Sequence, residues 1–304
     1  MSPIHKQNLE GGFFGLLAAA IWSGHSPVSA LGLEAGFEAT DLAAIRISTA
    51  SILLLTYLLT RRQRIWGALT WPRALVLAAC AGAPYSLIQI AGLNFAPMSH
   101  AAAISLGAVP LFATLLGLRF LGSQPSPLRA LAVACLMAGI LLIVNNQTKD
   151  FPNAWLGDLC FSLAALLWAL YAFLGHRWQV APLQGVALTS LLSLPYLLVY
   201  TLLLEPRINQ VESSDLVLQV LYQGALIGGL AIYSYSRAVT LLGLEKGALF
   251  TALAPVGMML TSILLLGYQP STTEWLGVAL VTLGMVAALL ITHPNHPQTV
   301  GKHS

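Results

Sequence analysis

Charge is scarce in this chain. Asp, Glu, Lys and Arg together make up 8% of its 304 residues, where a soluble domain carries about a quarter. With 57% hydrophobic residues and a mean hydropathy of +0.77, there are too few charges to cover a water-facing surface. An ordinary soluble domain is therefore excluded, and a helical membrane protein is the class that fits. In a membrane chain the net charge of +3 says little about nucleic acid, and no nucleic-acid partner is expected. Cysteine is scarce too. Cys80, Cys135 and Cys160 stand singly in apolar stretches without C-x-x-C spacing, which points to neither a disulfide framework nor a zinc site. H-E-x-x-H, G-x-S-x-G and paired acidic residues inside an apolar run are all missing. Nothing advertises an enzyme, a cofactor, a metal or a carboxylate proton relay.

What the sequence has is long apolar runs. A helix crossing the hydrocarbon core needs about 20 apolar residues. Ten runs meet this: 11–32, 40–60, 72–94, 98–120, 127–145, 155–177, 182–204, 215–241, 246–267 and 272–292. The breaks are polar, as in "TRRQRIWGALTWPR", "NNQTKDFPN" and "EPRINQVESSD". Residues 13–22 also read as the apolar core of a signal peptide, with "VSA" at 28–30 as a cleavage site. Against this, the first run has its own counterpart later in the chain.

Cytoplasmic loops collect Lys and Arg. With the N-terminus inside, Lys6, Arg61, Arg62, Arg64, Arg73, Arg119, Arg129, Arg177, Arg237, Lys246 and Lys302 fall inside or at the inner boundary, and only Lys149 and Arg207 fall outside. "LGSQPSPLRALAVACLMAG" (121–139) returns as "LGYQPSTTEWLGVALVTLG" (266–284), with Arg129 replaced by Glu274. The period is five helices. Five is odd, so the second half enters the membrane inverted, and the two similar turns face opposite sides with opposite charges. Pro110 and Pro255 share the offset, and "GGFFGLLAAAIW" aligns with "GDLCFSLAALLW", Trp22 upon Trp168.

These segments, together with "AAAIWSG", "AAIRISTASILLL", "VPLFATLLGLRFLG" and "APVGMMLTSILLLG", resemble the drug/metabolite transporter superfamily, in its EamA-type branch. The resemblance covers nearly the whole chain. It implies an all-α integral membrane protein of ten transmembrane helices in two inverted-topology five-helix repeats. The expected layout is a cytoplasmic N-terminus (1–10), a first repeat (11–146), an external linker (147–154), a second repeat (155–292) and a cytoplasmic tail (293–304). The resemblance also implies secondary transport, commonly export of amino acids or other small metabolites, across a membrane expected to be a bacterial inner membrane. The family usually has Leu-Gly-Glu in both turns, where this chain has Ser123 and Tyr268.

A transporter of this design binds its solute near the midplane between the repeats, where helices are interrupted. Pro27, Pro84, Pro110 and Pro255 are the candidate helix breaks, since each removes a backbone donor. Trp22, His25, Ser26 and Ser29 share one face of the first span. Trp168 and Tyr171 are the repeat equivalents of Trp22 and His25. Tyr85 and Gln89 lie one turn apart on the third span, and Tyr235 aligns loosely with Gln89. Trp22, His25, Tyr85, Gln89, Trp168, Tyr171 and Tyr235 are thus the candidate substrate-binding residues, against the alternative that they only fill gaps between helices. Arg46, two turns inside the second span, either pairs with Asp158 as a brace or captures a substrate carboxylate. Arg237 is expected to snorkel, and His100 to sit at the external rim. The GxxxG patterns Gly11/Gly15 and Gly224/Gly228 permit close packing and leave monomer or homodimer undetermined. A small-molecule substrate and the lipid bilayer are the expected partners. A membrane-embedded enzyme and a non-transporting scaffold are the competing readings from other classes. Among transporters, the alternatives are an importer and an exchanger of nucleotide sugars or phosphates, whose basic pocket only Arg46 could begin to supply.

Overall fold

A computed structural model describes residues 3–61, 69–120, 126–145, 151–242, 247 and 249–291. Expectations placed on Arg62, Arg64, Ser123, Lys149, Lys246 and the 293–304 tail lie outside the described residues. Among those described, nine helices are long and apolar enough to cross a membrane, and a tenth apolar helix is shorter. In chain order they are α1 (Gln7–Glu34), α2 (Ala39–Thr60), α3 (Trp71–Gly92), α4 (Met98–Phe120), α5 (Pro127–Val144), α6 (Ala154–Arg177), α7 (Leu183–Leu203), α8 (Ser213–Leu242), α9 (Phe250–Leu266) and α10 (Thr272–Leu290). The outer surface is apolar: Leu202 and Leu203 are each 76% exposed and Leu264 82%. Such a surface suits lipid, where helices satisfy their own backbone polar groups.

The packing has a pseudo-two-fold pattern. α1 packs on α8 as α6 does on α3, α2 on α8 as α7 on α3, and α1 on α9 as α6 on α4. α5 and α10 pair with each other, and they run antiparallel. Gly284 meets Ala132 and Leu136 near the start of α5, while Gly277 meets Gly139 and Ile143 towards its end. α2 and α7 are antiparallel as well, since the hydroxyls of Tyr196 and Tyr200 reach Thr40 O and Asp41 Oδ1 at the start of α2. Equivalent helices of the two halves therefore run in opposite directions, as an inverted repeat requires.

The turn repeated in sequence is repeated in structure, and the charge reversal has a local consequence. Ser126 caps α5 by accepting from Arg129 N at 3.1 Å. Ser271 does the same for α10, accepting from Glu274 N at 3.3 Å. Only in the second copy does the side chain return the favour. Glu274 Oε2 accepts from Ser271 N at 2.7 Å, completing a capping box. Glu274 also accepts from Tyr268, the residue standing where the family has Glu. Burial, reinforced by this hydrogen bond, pushes the Tyr268 phenol above its ordinary pKa.

Among the described residues five helices are interrupted, and at the breaks of α1 and α3 a neighbouring helix supplies a hydrogen bond. α1 breaks at Gly24, three residues before the buried Pro27. Tyr222 on α8 donates to Ile21 O at 2.7 Å beside that break. α3 breaks at Gly82, and Ser193, at the break of α7, accepts from Ala83 N at 3.1 Å. Gly82 is required by close approach, because a Cβ there would lie 2.1 Å from Ser193 Oγ. α4 loses regular helix over 105–108 and α9 turns 3₁₀ over Phe250–Leu253, each just before Pro110 or Pro255. These two breaks are offset by the repeat period. Proline cannot donate to the carbonyl four residues back and its ring crowds it.

Both GxxxG patterns serve internal packing. Gly224 and Gly228 on α8 face Thr49 and Ala50 on α2, and Gly11 and Gly15 face Leu242 and Phe250. At Gly139 the repeats meet backbone to backbone, and a Cβ would sit 2.6 Å from Gly277 O and 2.8 Å from Val281 N. Backbone cannot yield as a side chain can. Gly139→Ala is expected to cost about 1–3 kcal/mol through overpacking, read as an earlier thermal unfolding midpoint in detergent. Gly12→Ala, with nothing within 4 Å, is expected to cost nothing.

Candidate functional site: a central cavity

Between the halves lies a cavity of about 540 Å³. All seven residues singled out as substrate-binding line it: Trp22, His25, Tyr85, Gln89, Trp168, Tyr171 and Tyr235, with Arg46 among them. They form two aromatic walls. Trp22 on α1 meets Tyr235 on α8 at 5.2 Å between ring centroids. Across the cavity, Trp168 on α6 meets Tyr85 on α3 and its own neighbour Tyr171, each at 5.4 Å. Each wall therefore joins the first helix of one repeat to the third helix of the other. A second hollow of about 80 Å³ shares Trp22, Arg46, Trp168 and Tyr171, and adds Ser86, Thr189, Ser190 and Ser193 to the lining.

The polar centre is His25, 7% exposed. Arg46 Nη1 lies 3.1 Å from its Nε2, and Gln89 Nε2 lies 3.2 Å from its Nδ1. Arginine has donors and no acceptor, so His25 Nε2 must accept and the ring proton belongs on Nδ1. A half-turn of the Gln89 amide then brings its oxygen onto Nδ1–H. That oxygen is otherwise buried with no partner among the described residues, so one rotation satisfies both groups. The Arg46 guanidinium also stands 5.8 Å from the centroid of the Tyr85 ring, within cation–π range.

The geometry corrects several sequence expectations. Arg46 does not pair with Asp158. Asp158 Oδ1 is 2.6 Å from His100 Nδ1, tying α6 to α4, and it does not line the cavity. His100, 1% exposed, stands in the first turn of α4, buried and satisfied by Asp158. Comparable depth put Asp158 and Arg46 at one level, but depth says nothing about which way a helix face points. Arg237 does not simply snorkel, for it pairs with Glu10 at 2.9 Å. Of the four prolines, Pro110 lines the cavity. Pro27 and Pro255 are buried elsewhere, and Pro84 points outward from the α3 break. Ser29 turns away from the cavity to accept from Gln223 at 2.9 Å.

The cavity has two unlike ends. It reaches Arg129 and the exposed His176 and Ala181, at the end of the bundle that also carries Arg73, Arg119 and Arg177. The opposite end is sealed by buried polar contacts. Besides His100–Asp158, Gln219 donates to Val28 O at 2.8 Å, Arg207 N donates to the fully buried Asp41 at 3.0 Å, and Tyr268 bridges Ser99 and Glu274. Sequence reasoning passed over Gln219 and Gln223, although two glutamines one turn apart in an apolar run are a legible signal. It treated Arg129 only as a loop charge, whereas Arg129 Nε donates to Thr114 at 3.2 Å and lines the cavity. A double-mutant cycle on unfolding midpoints checks the pairing. His100→Gln with Asp158→Asn is expected to couple by about 0.5–3 kcal/mol, and Arg46→Gln with Asp158→Asn to add within about 0.5 kcal/mol.

Among similar proteins, the uncharacterized inner membrane transporter YedA of Escherichia coli K12 is 25% identical over 285 residues, covering 91% of this chain and 90% of its own length. The uncharacterized transporter YwfM of Bacillus subtilis is 23% identical over 286 residues, covering 90% of this chain and 91% of its own. The chloramphenicol-sensitive protein RarD of Pseudomonas aeruginosa is 29% identical over 227 residues, 70% of this chain and 72% of that protein. A solved crystal structure shares the fold at a TM-score of 0.65 and 21% identity, over 92% of this chain and 96% of its own. The model of the EamA-like transporter family matches twice, over residues 9–145 and 155–290. With its apolar helices and this double match, the chain is a multi-pass membrane protein and belongs to the EamA-like transporter family.

Proposed function

We propose that the chain is a secondary transporter that moves small amphiphilic metabolites by alternating access around the central cavity, in the direction of export. The observation that carries this reading is the cavity's form. It lies between inverted repeats, reaches one end of the bundle, and is sealed by polar contacts at the other. Its volume of about 540 Å³ suits a small solute. The interrupted helices around it give each half a place to rearrange. Membrane topology rules assign the arginine-rich end to the cytoplasm, which puts both chain ends inside and makes this form inward-facing.

The lining describes the cargo. Aromatic walls suit an apolar body, and the His25–Arg46–Gln89 group suits one polar head. Amino acids and their derivatives fit this outline. A scaffold would gain nothing from a hollow ringed by buried polar groups, each of which is costly in the membrane.

Counterflow in proteoliposomes tests the reading, using a radiolabelled panel of amino acids and small carboxylic acids. At least one labelled solute should accumulate against its unlabelled form. Trp22→Ala and His25→Ala should each slow that flux at least tenfold per folded molecule, measured below the lowered unfolding midpoint of each variant, because His25→Ala also strips Arg46 and Gln89 of a partner. Undiminished flux in both variants would remove the cavity from the mechanism.

A further inference from the structure

The geometry points to a narrower substrate class: the cavity takes organic anions with an apolar body and no free ammonium group, and Arg46 is the residue that selects them. This rests on the transport reading and specifies the cargo of the same cavity.

The first argument is an imbalance of charge. Arg46 lines both hollows. Its one hydrogen-bond partner among the described residues is the His25 ring, which offers a lone pair and no negative charge. A guanidinium carries five donors in a planar fork, and the Tyr85 face gives it only a weak quadrupole. A cation at this depth should pair or face water. Here it faces a cavity with one N–H on a neutral ring and the remaining fork available to a guest. Two carboxylate oxygens match that fork bidentately.

The second argument is what the walls lack. Among the described residues lining the cavity there is no Asp or Glu, whereas Arg129 adds a second cation towards the mouth. Over the described lining the local field therefore favours anions. In a zwitterionic amino acid the ammonium is attached one carbon from the carboxylate. With the carboxylate on Arg46, that ammonium lies close to the guanidinium and meets no counter-charge. A neutral or absent nitrogen removes this penalty. The preferred guest is thus a carboxylate bearing an aliphatic or aromatic body, or an amino acid whose nitrogen is acylated.

The test uses four probes of one shape: 4-methylpentanoate, 4-methylpentanamide, 3-methylbutylamine and leucine. Binding to the purified full-length protein is followed by intrinsic tryptophan fluorescence, since Trp22 and Trp168 line the cavity, and each probe is also run in counterflow. The carboxylate should bind at least tenfold tighter than the other three. Arg46→Gln should bring the carboxylate and the amide to similar affinity, and Arg46→Lys should keep part of the preference. Equal or tighter binding of leucine or the amide by the unaltered protein would overturn the anion proposal and leave the transport reading standing, as would a carboxylate preference that survives Arg46→Gln. If none of the four probes binds or crosses, the anion proposal is overturned as well. Should the amino-acid panel also fail to cross, the transport reading falls with it.

Discussion

A single guanidinium held inside the bilayer without a carboxylate is the constraint around which this molecule is arranged. Arg46 cannot shed its proton, and the membrane interior penalises its charge. The protein gives it the lone pair of His25, the face of Tyr85 and a hollow beside it. Those partners in turn fix others. His25 must carry its proton on Nδ1, and Gln89 must turn its oxygen to that proton. Asp158, the acid that could have cancelled the charge, is committed to His100 instead.

The hollow exists because the two halves meet through their breaks. α4 and α9 lose their regular turn at equivalent positions before Pro110 and Pro255, and α3 and α7 lose theirs where Gly82 touches Ser193. Irregular backbone at membrane depth is tolerated only where protein or a cavity satisfies it, and Ser193 and Tyr222 do this from neighbouring helices. Small residues elsewhere hold the halves together. The α5–α10 crossing brings Gly139 against Gly277 with no room for a methyl group.

Much of this was legible in the sequence. Ten apolar runs and polar breaks gave the spans, because hydrocarbon thickness sets their length. The Gln-Pro-Ser turn gave the repeat, since a cap and its turn must be preserved even when the flanking charge reverses. The cavity residues were visible as polar or amphipathic groups too deep for a lipid-facing helix surface. What stayed hidden was azimuth. Arg46 and Asp158 share a depth, yet they point to different neighbours, and no period along one helix reveals where another helix stands. Arg129 was hidden for a different reason: it stands in the first turn of α5, where a charge reads as a boundary residue, and only the tertiary arrangement brings it to Thr114 and the cavity. The sealed end, with Gln219, Gln223, Asp41 and His100, also depends on partners more than 50 residues away.

The central claim is a water-filled hollow beside Arg46 that communicates with the arginine-rich end of the bundle. Thiol accessibility in oriented membrane vesicles tests it most directly, with Ser236→Cys introduced after Cys80, Cys135 and Cys160 have been replaced by serine or alanine. A membrane-impermeant thiol reagent should modify position 236 from the cytoplasmic face, and a transported solute should slow the reaction. A thiol that stays unreactive from both faces, or reacts only from the outer face with or without solute, would contradict the account.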